Sequence, residues 1–216
     1  SEDPIYYGLF SKIIVDLTKR SNVLVDLVVT RSINGAVGNS ILHRIARHPI
    51  LGQIIASKWI RLYSRLSPKI GYRSVALNDV FYDLQANQIA RSLFRNLNNG
   101  TLLINNLEID NILVGDLVVD TYLRFRPKAY FDVSDRFVKK ILIQTCKDVR
   151  RARRYFTRFM PSCYLTSYTT YIQHGIPVRV ALSMGISVYS FGSFQHFVKK
   201  HDFNDVFHTP FTDDYK

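Results

Sequence analysis

The apolar residues of this chain recur at helical spacing in some segments and form continuous β-branched runs in others. Helical spacing predicts an amphipathic helix over Pro4–Arg20, a second ending near Leu97, and a long one over residues 134–159. Continuous apolar runs predict buried strands at residues 23–29, 112–114 and 186–189. Strands that alternate with helices predict an α/β fold, here a Rossmann-like, mostly parallel sheet with helices on both faces.

Residues 164–192 are predicted to form a strand, a helix that stops at Gly185, and a second strand. The turn between the first strand and the helix is rich in polar side chains, and Pro177 suits the start of the helix. Loops at the ends of such strands commonly hold ligands in open α/β sheets. We therefore expect a binding site formed by Tyr168, Tyr171, Gln173, His174 and Arg179.

A second polar cluster lies in residues 110–124, where a predicted strand is followed by a Gly115-Asp116 turn and a helix. Asp116 and Asp120 share one face near the start of this helix, where carboxylates are favoured. Either Asp116 caps the helix and Asp120 is solvated, or one of them is a carboxylate base beside the end of a strand. In a parallel sheet the loops that carry Asn34, Asp116 and Tyr168 would meet at one rim.

The length of 216 residues suits one domain, residues 1–216, or one half of a two-domain enzyme. The net charge of +12 points to nucleic acid, an anionic membrane surface or phosphorylated substrates. No nucleic-acid-binding signature is present, which makes that partner the least favoured. Two cysteines without metal-ligand spacing predict neither a disulfide framework nor a metal site. Without a signal peptide or a membrane-length apolar run, a cytoplasmic location is expected.

Much of the positive charge is concentrated in the long predicted helix. Residues 135–158 hold nine basic and two acidic side chains. At helical spacing six of the basic residues fall in one narrow stripe: Arg136, Lys140, Lys147, Arg151, Arg154 and Arg158. This stripe predicts either a solvated face or contact with anionic lipid headgroups or a phosphate-bearing substrate.

Two motifs carry a resemblance to a family. GDLVVDTYLR, residues 115–124, and YLTSYTTYIQHGIPVRVALSMGISVY, residues 164–189, resemble the N-terminal half of bacterial capsule and O-antigen glycosyltransferases. These enzymes have two Rossmann-like domains in the GT-B arrangement. The resemblance implies that this chain is the acceptor-binding half, inactive by itself, and that a C-terminal domain binds the nucleotide-sugar donor. It implies a glycan or lipid-linked acceptor, no cofactor, and a peripheral location at the inner face of the cytoplasmic membrane.

The same resemblance implies roles for residues of the two motifs. Asp116, Asp120 and His174 are the candidates for the base that deprotonates the acceptor hydroxyl. Arg124 and Arg179 are candidates to offset phosphate charge, with Tyr171 beside them facing the cleft. Structural alternatives stay open, since His174 could cap a helix and Arg179 could pair with Asp120. A non-catalytic scaffold domain and a basic nucleic-acid-binding module are the rival functions.

Overall fold

The computed structural model describes residues 4–28, 65, 70–73, 80–126, 128–167, 169–191 and 198–203. The chain divides into two compact units, Ser1–Asn78 and Asp79–Lys216. In the first unit, helix α1 (Pro4–Arg20) is followed by strand β1 (Val25–Val28), which pairs in parallel with β2 (Ile70–Arg73). The predicted first helix is thus confirmed. The predicted first strand is confirmed over four residues, but its predicted burial is not, since Leu24 is exposed and Val25 and Asp26 are only partly buried.

The second unit is built around one long helix. Helices α2 (Val80–Asn98), α3 (Gly115–Phe125), α4 (Arg136–Phe159) and α5 (Ile176–Ser183) belong to it, and α4 packs against the other three. One face of α4 is buried, including Phe137, Ile141, Val149 and Phe156. Asp135 caps its N-terminus by accepting a hydrogen bond from the Phe137 N–H at 2.8 Å. The long predicted helix is therefore confirmed, and its apolar face forms the centre of the core.

A mixed sheet completes this unit. Strands β5 (Cys163–Thr166) and β6 (Ser187–Phe191) are parallel, and β7 (Val198–His201) pairs antiparallel with β6. The connection from β5 to β6 runs through α5, which ends at Gly185 with φ of 73°. The predicted strand–helix–strand unit and its glycine stop are confirmed.

The prediction that residues 112–114 form a strand of the parallel sheet is wrong. Strand β4 (Ile112–Leu113) instead pairs antiparallel with β3 (Glu108–Ile109) in a separate hairpin. The two residues between these strands, Asp110 and Asn111, have φ of 51° and 62°. Positive φ at both central positions is the requirement of a type I′ hairpin turn, which Asp and Asn tolerate. A short apolar run does not reveal its pairing partner. Here the turn residues Asp110 and Asn111 favour antiparallel pairing with the strand just before them.

The α/β class is confirmed, but the strands of the described segments lie in three small sheets, of which one is parallel, one antiparallel and one mixed. The prediction of one domain over residues 1–216 stays a prediction. In the part of the chain that the structure describes, the helices are too short or too polar to span a membrane.

Candidate functional site

The first wall of the candidate site is helix α3, which starts directly after the hairpin. Gly115, predicted to lie in a turn, is instead its first residue. A Cβ at this position would overlap the carbonyl oxygen of Ile104, in the short 3-10 helix Ile104–Asn106. The close approach of two backbones therefore requires glycine at the start of α3 and fixes where the acidic residues that follow are placed.

Asp116 is held by an arginine from a distant part of the chain. Arg179 of α5 donates from Nη1 to Asp116 Oδ1 at 2.7 Å and from Nη2 to Asp116 Oδ2. Its Nη1 also donates to the carbonyl oxygen of Leu113 at 2.5 Å. Only 4% of Arg179 is exposed, whereas 45% of the Asp116 side chain is exposed. This two-point ion pair ties α5 to the junction of β4 and α3, so Arg179 pairs with Asp116 rather than with Asp120.

Asp120 lies one turn further along α3 in a different environment. Its side chain is partly buried and, within the described segments, has no hydrogen-bond partner. Burial raises the pKa of Asp120, the negative charge of Asp116 raises it further, and Arg179 acts in the opposite direction. The two carboxylates therefore differ in kind, because one is ion-paired and the other is available to accept a proton.

The second wall is a single π-helical turn, Tyr171–Gly175, that precedes α5. The backbone N–H of Ile172 donates to Thr121 Oγ1 at 3.1 Å, which fastens the turn to α3. A Cβ on Gly175 would lie 2.6 Å from the Thr169 carbonyl oxygen and would overlap the side chain of Leu117. The turn is thus seated closely on α3, and π-helical turns are frequent at functional sites.

The residue that opens this turn has an unusual backbone. Tyr171 has φ of 59°, the left-handed region that a bulky side chain seldom adopts. Its ring lies under the guanidinium of Arg124, with the Arg124 Cζ atom 4.5 Å from the ring centroid. Strain of this kind persists where the surrounding structure imposes it, and it is concentrated at ligand-binding and catalytic sites.

His174 occupies the same π-helical turn, one residue before Gly175, the N-cap residue of α5. Burial lowers the pKa of His174 to about 4, and the positive charge of Arg124 lowers it as well. The imidazole is therefore neutral at physiological pH.

The structure brings together two groups of predicted site residues. Helix α3 supplies Asp116, Asp120 and Arg124, and the π-helical turn with α5 supplies Tyr171, His174 and Arg179. They meet because the π-helical turn packs against α3 and an ion pair joins α5 to α3, not because two strand ends share a sheet edge. Two groups that anchor the walls were not predicted. Thr121 lies within the first motif but was not singled out, and a backbone carbonyl such as that of Leu113 leaves no signal in the sequence. Tyr168 and Asn34 lie outside the described residues.

The predicted basic stripe is exposed only in part. Arg136, Lys140 and Arg158 are exposed, whereas Lys147, Arg151 and Arg154 are partly buried. The Arg151 side chain is 18% exposed and lies 3.7 Å from Asp148. The middle of the stripe is therefore not a simple solvated face. No cluster of side chains suited to a metal ion occurs within the described segments.

No family model matches this sequence, and neither a curated protein nor a solved structure matches it.

Proposed function

We propose that this chain is the acceptor-binding half of a glycosyltransferase of bacterial surface-polysaccharide biosynthesis, with Asp120 as the general base. The observation that supports this proposal is the state of Asp120, a partly buried carboxylate with a raised pKa and no hydrogen-bond partner in the described segments. A base that takes a proton from a sugar hydroxyl needs an accessible lone pair and a pKa moved toward the operating pH.

The geometry favours Asp120 over the two other base candidates. Both oxygens of Asp116 accept hydrogen bonds from Arg179, so its role is to position α3 and to raise the pKa of its neighbour. A pKa of about 4 makes His174 a weak base, and its role is to accept or donate a hydrogen bond as a neutral imidazole. Asp120 combines access with a raised proton affinity.

Substrate recognition is assigned to the pair of Arg124 and Tyr171. The guanidinium of Arg124 is exposed and lies above an aromatic ring, an arrangement that suits a sugar or a phosphate-bearing acceptor. Arg179 acts indirectly in this proposal, through its ion pair with Asp116. In this proposal the nucleotide-sugar donor binds to a second domain in a GT-B arrangement, and the protein lies peripherally at the inner face of the membrane. The parallel strand pair in each unit supports the Rossmann-like part of the proposal.

The experiment compares Asp120→Asn with the parent in the complete gene product. Sugar transfer is measured with a panel of nucleotide sugars as donors and a membrane extract of the native host as the acceptor source. Loss of the base should reduce transfer by about a hundredfold or more. The melting temperature at neutral pH should stay unchanged or rise. A raised pKa means that the charged carboxylate of Asp120 destabilises the folded protein at this pH, and a neutral amide removes that cost.

The matched control is Glu108→Gln in the hairpin, which removes one negative charge from an exposed side chain of the same unit. It should transfer at the parental rate. If Asp120→Asn also transfers at that rate, the assignment of the base is wrong. If the parent turns over no nucleotide sugar in the panel, the proposed reaction is wrong.

A further inference from the structure

The hydroxyl of Thr121 makes two hydrogen bonds in the middle of helix α3. Thr121 Oγ1 donates to the carbonyl oxygen of Leu117 at 2.7 Å and accepts from the backbone N–H of Ile172 at 3.1 Å. The residue is fully buried. A threonine that bonds only to its own helix is a poor choice for a helix interior, because its branched side chain is stiff there. The bond to Ile172 is therefore the one that gives this side chain a role in the site.

The N–H that Thr121 binds stands at the start of the π-helical turn. Ile172 is the second residue of the turn Tyr171–Gly175, so its N–H has no carbonyl partner within that turn. The residue before the turn, Thr170, makes no side-chain cap bond in the described part of the chain. Ile172 is also fully buried, so its N–H depends on a protein partner. Thr121 thus caps the π-helical turn from a neighbouring helix.

This cap fixes the backbone of the residue just before Ile172. Tyr171 has φ of 59°, which a bulky side chain seldom adopts and which persists only where the surroundings impose it. A buried N–H without a partner carries a cost of comparable size. A rotation at Tyr171 that relieved the first cost would pull Ile172 away from its acceptor and incur the second. The hydroxyl of Thr121 therefore decides which conformation Tyr171 adopts.

In that conformation the ring of Tyr171 lies against Arg124, three residues beyond Thr121 on α3. The Cζ atom of Arg124 is 4.5 Å from the ring centroid. Arg124 is exposed and Tyr171 is partly buried. The guanidinium therefore covers one face of the ring, and a ligand on that side meets the charged group. A guanidinium held over a ring keeps its N–H groups available for anionic oxygens.

The position of Asp120 adds a second point of contact on the same face of α3. Asp120 precedes Arg124 by four residues, which is about one turn of the helix and about 6 Å along its axis. A sugar is large enough to place a hydroxyl at Asp120 and an anionic substituent at Arg124. The spacing suits an acceptor whose reacting hydroxyl and anionic group belong to one sugar residue.

We propose that Thr121 is a positioning residue for substrate recognition, and that the Arg124–Tyr171 pair it holds binds an anionic group of the acceptor sugar, a phosphate or a carboxylate. The proposal rests on the proposed function for the role of this sugar as an acceptor. The structural step, from Thr121 through Ile172 and Tyr171 to Arg124, does not depend on the reaction. A pair that is already formed raises the affinity, because binding no longer includes the ordering of its side chains.

The first experiment observes the pair in the 216-residue chain by NMR, without ligand or reaction. Protons of Arg124 that lie over the Tyr171 ring are shifted upfield by its ring current, and Tyr171→Leu identifies that shift. Thr121→Val removes the hydroxyl and keeps the branched shape, so the shift should be lost, whereas Thr121→Ser should keep it. The matched control is Thr145→Val, which removes a buried hydroxyl bonded at 2.9 Å to the Ile141 carbonyl of α4 and should also keep the shift.

The second experiment titrates glucose 1-phosphate into the same variants, with glucose as the uncharged comparison. Glucose 1-phosphate should bind the parent more tightly than glucose does, and Arg124→Gln should remove that difference. Thr121→Val should weaken binding by about tenfold, the effect of a paired conformation that is populated about a tenth of the time. Thr121→Ser and Thr145→Val should stay within about twofold of the parent. Tighter binding of glucuronic acid than of glucose 1-phosphate would identify the anionic group as a carboxylate, and the reverse would identify it as a phosphate.

The third experiment separates this proposal from the proposed reaction. In the complete gene product, Thr121→Val should raise KM for the acceptor and leave kcat nearly unchanged, because Thr121 acts on recognition and not on the base. If the parent transfers no sugar, the proposed function is wrong, and the first two experiments still decide the role of Thr121.

The role of Thr121 is overturned if Thr121→Val keeps the ring-current shift, if Thr145→Val loses it equally, or if charged and uncharged sugars bind the parent alike. Thr121→Ala replaces Thr121→Val under the same criteria if the valine variant does not fold. Rapid solvent exchange of the Ile172 amide proton in the parent would overturn the proposal without any variant.

Discussion

Arginine side chains lie in two different settings in this unit. One is the acidic site formed by α3, the π-helical turn and α5, and the other is the basic groove beside the last turns of α4. In the acidic site one guanidinium, that of Arg179, is 4% exposed and donates to both carboxylate oxygens of Asp116. In an open groove beside the last turns of α4, the guanidiniums of Arg150, Arg153, Arg154 and Arg158 lie near one another, and Arg150 Nε lies 3.8 Å from Asp110 Oδ2. The first arrangement is a nearly buried guanidinium bound to one helix from another, and the second is a group of partly exposed guanidiniums at an open surface.

The two regions differ in how much a substitution should change the free energy of unfolding. A buried ion pair contributes little net stability, but removing one partner leaves an unpaired buried charge and is costly. Exposed charges contribute little to stability in either direction, and they act through attraction of anions. Substitution in the acidic site should therefore change the free energy of unfolding more than substitution at the exposed end of the groove does.

The largest effect on stability is expected from Asp116→Asn. Arg179 would keep its hydrogen bond to the Leu113 carbonyl but lose the charge of Asp116. We expect a cost of about 2 to 3 kcal/mol, less than for a fully buried pair, because Asp116 is partly exposed. Urea unfolding of the 216-residue chain measures this. Combining Asp116→Asn with Arg179→Met should cost less than the sum of the two single changes. Additive costs would show that the ion pair does not tie α5 to α3.

The next effect is a pH dependence that belongs to His174. In the unfolded chain histidine takes up a proton near pH 6.5, whereas the folded pKa of His174 is about 4. The unfolded state thus binds more protons between these values, and stability is lost as the pH falls from 6.5 toward 4. Because the side chain is only partly buried and solvent screens part of the effect, the loss should be on the order of 1 to 2 kcal/mol. Urea unfolding at several pH values should show a smaller loss for His174→Asn than for the parent. Equal losses would contradict a partly buried His174 whose pKa is lowered.

The smallest effect is expected in the groove. Arg158→Gln removes an exposed charge and should change the free energy of unfolding by less than about 0.5 kcal/mol. Arg136→Gln at the opposite end of α4 is the matched control and should behave alike. A loss comparable to that of Asp116→Asn would mean that the groove arginines hold the fold together, and the contrast between the two regions would disappear.

The local sequence pattern alone was enough to predict several helices and strands of this fold. The apolar spacing of α1 and α4, the glycine stop at Gly185 and the strand–helix–strand unit around α5 could all be read from neighbouring residues. Such features depend on contacts a few residues apart, where the periods of helix and strand leave a clear trace. The polar residues of the two motifs could likewise be named as site candidates, because they interrupt apolar runs.

Only the tertiary structure decided how these residues are used. The strand at Ile112–Leu113 pairs with β3 in a hairpin, which the apolar run by itself did not indicate, although the Asp110-Asn111 turn that joins the two strands is local. Arg179 and Asp116 are 63 positions apart, and the choice of Asp116 over Asp120 depends on where α5 places the Arg179 side chain relative to α3. The π-helical turn and the positive φ of Tyr171 exist because Thr121 and Leu117 hold that turn in place. Contacts between distant segments have no period along the chain, so packing determined which carboxylate was left to accept a proton.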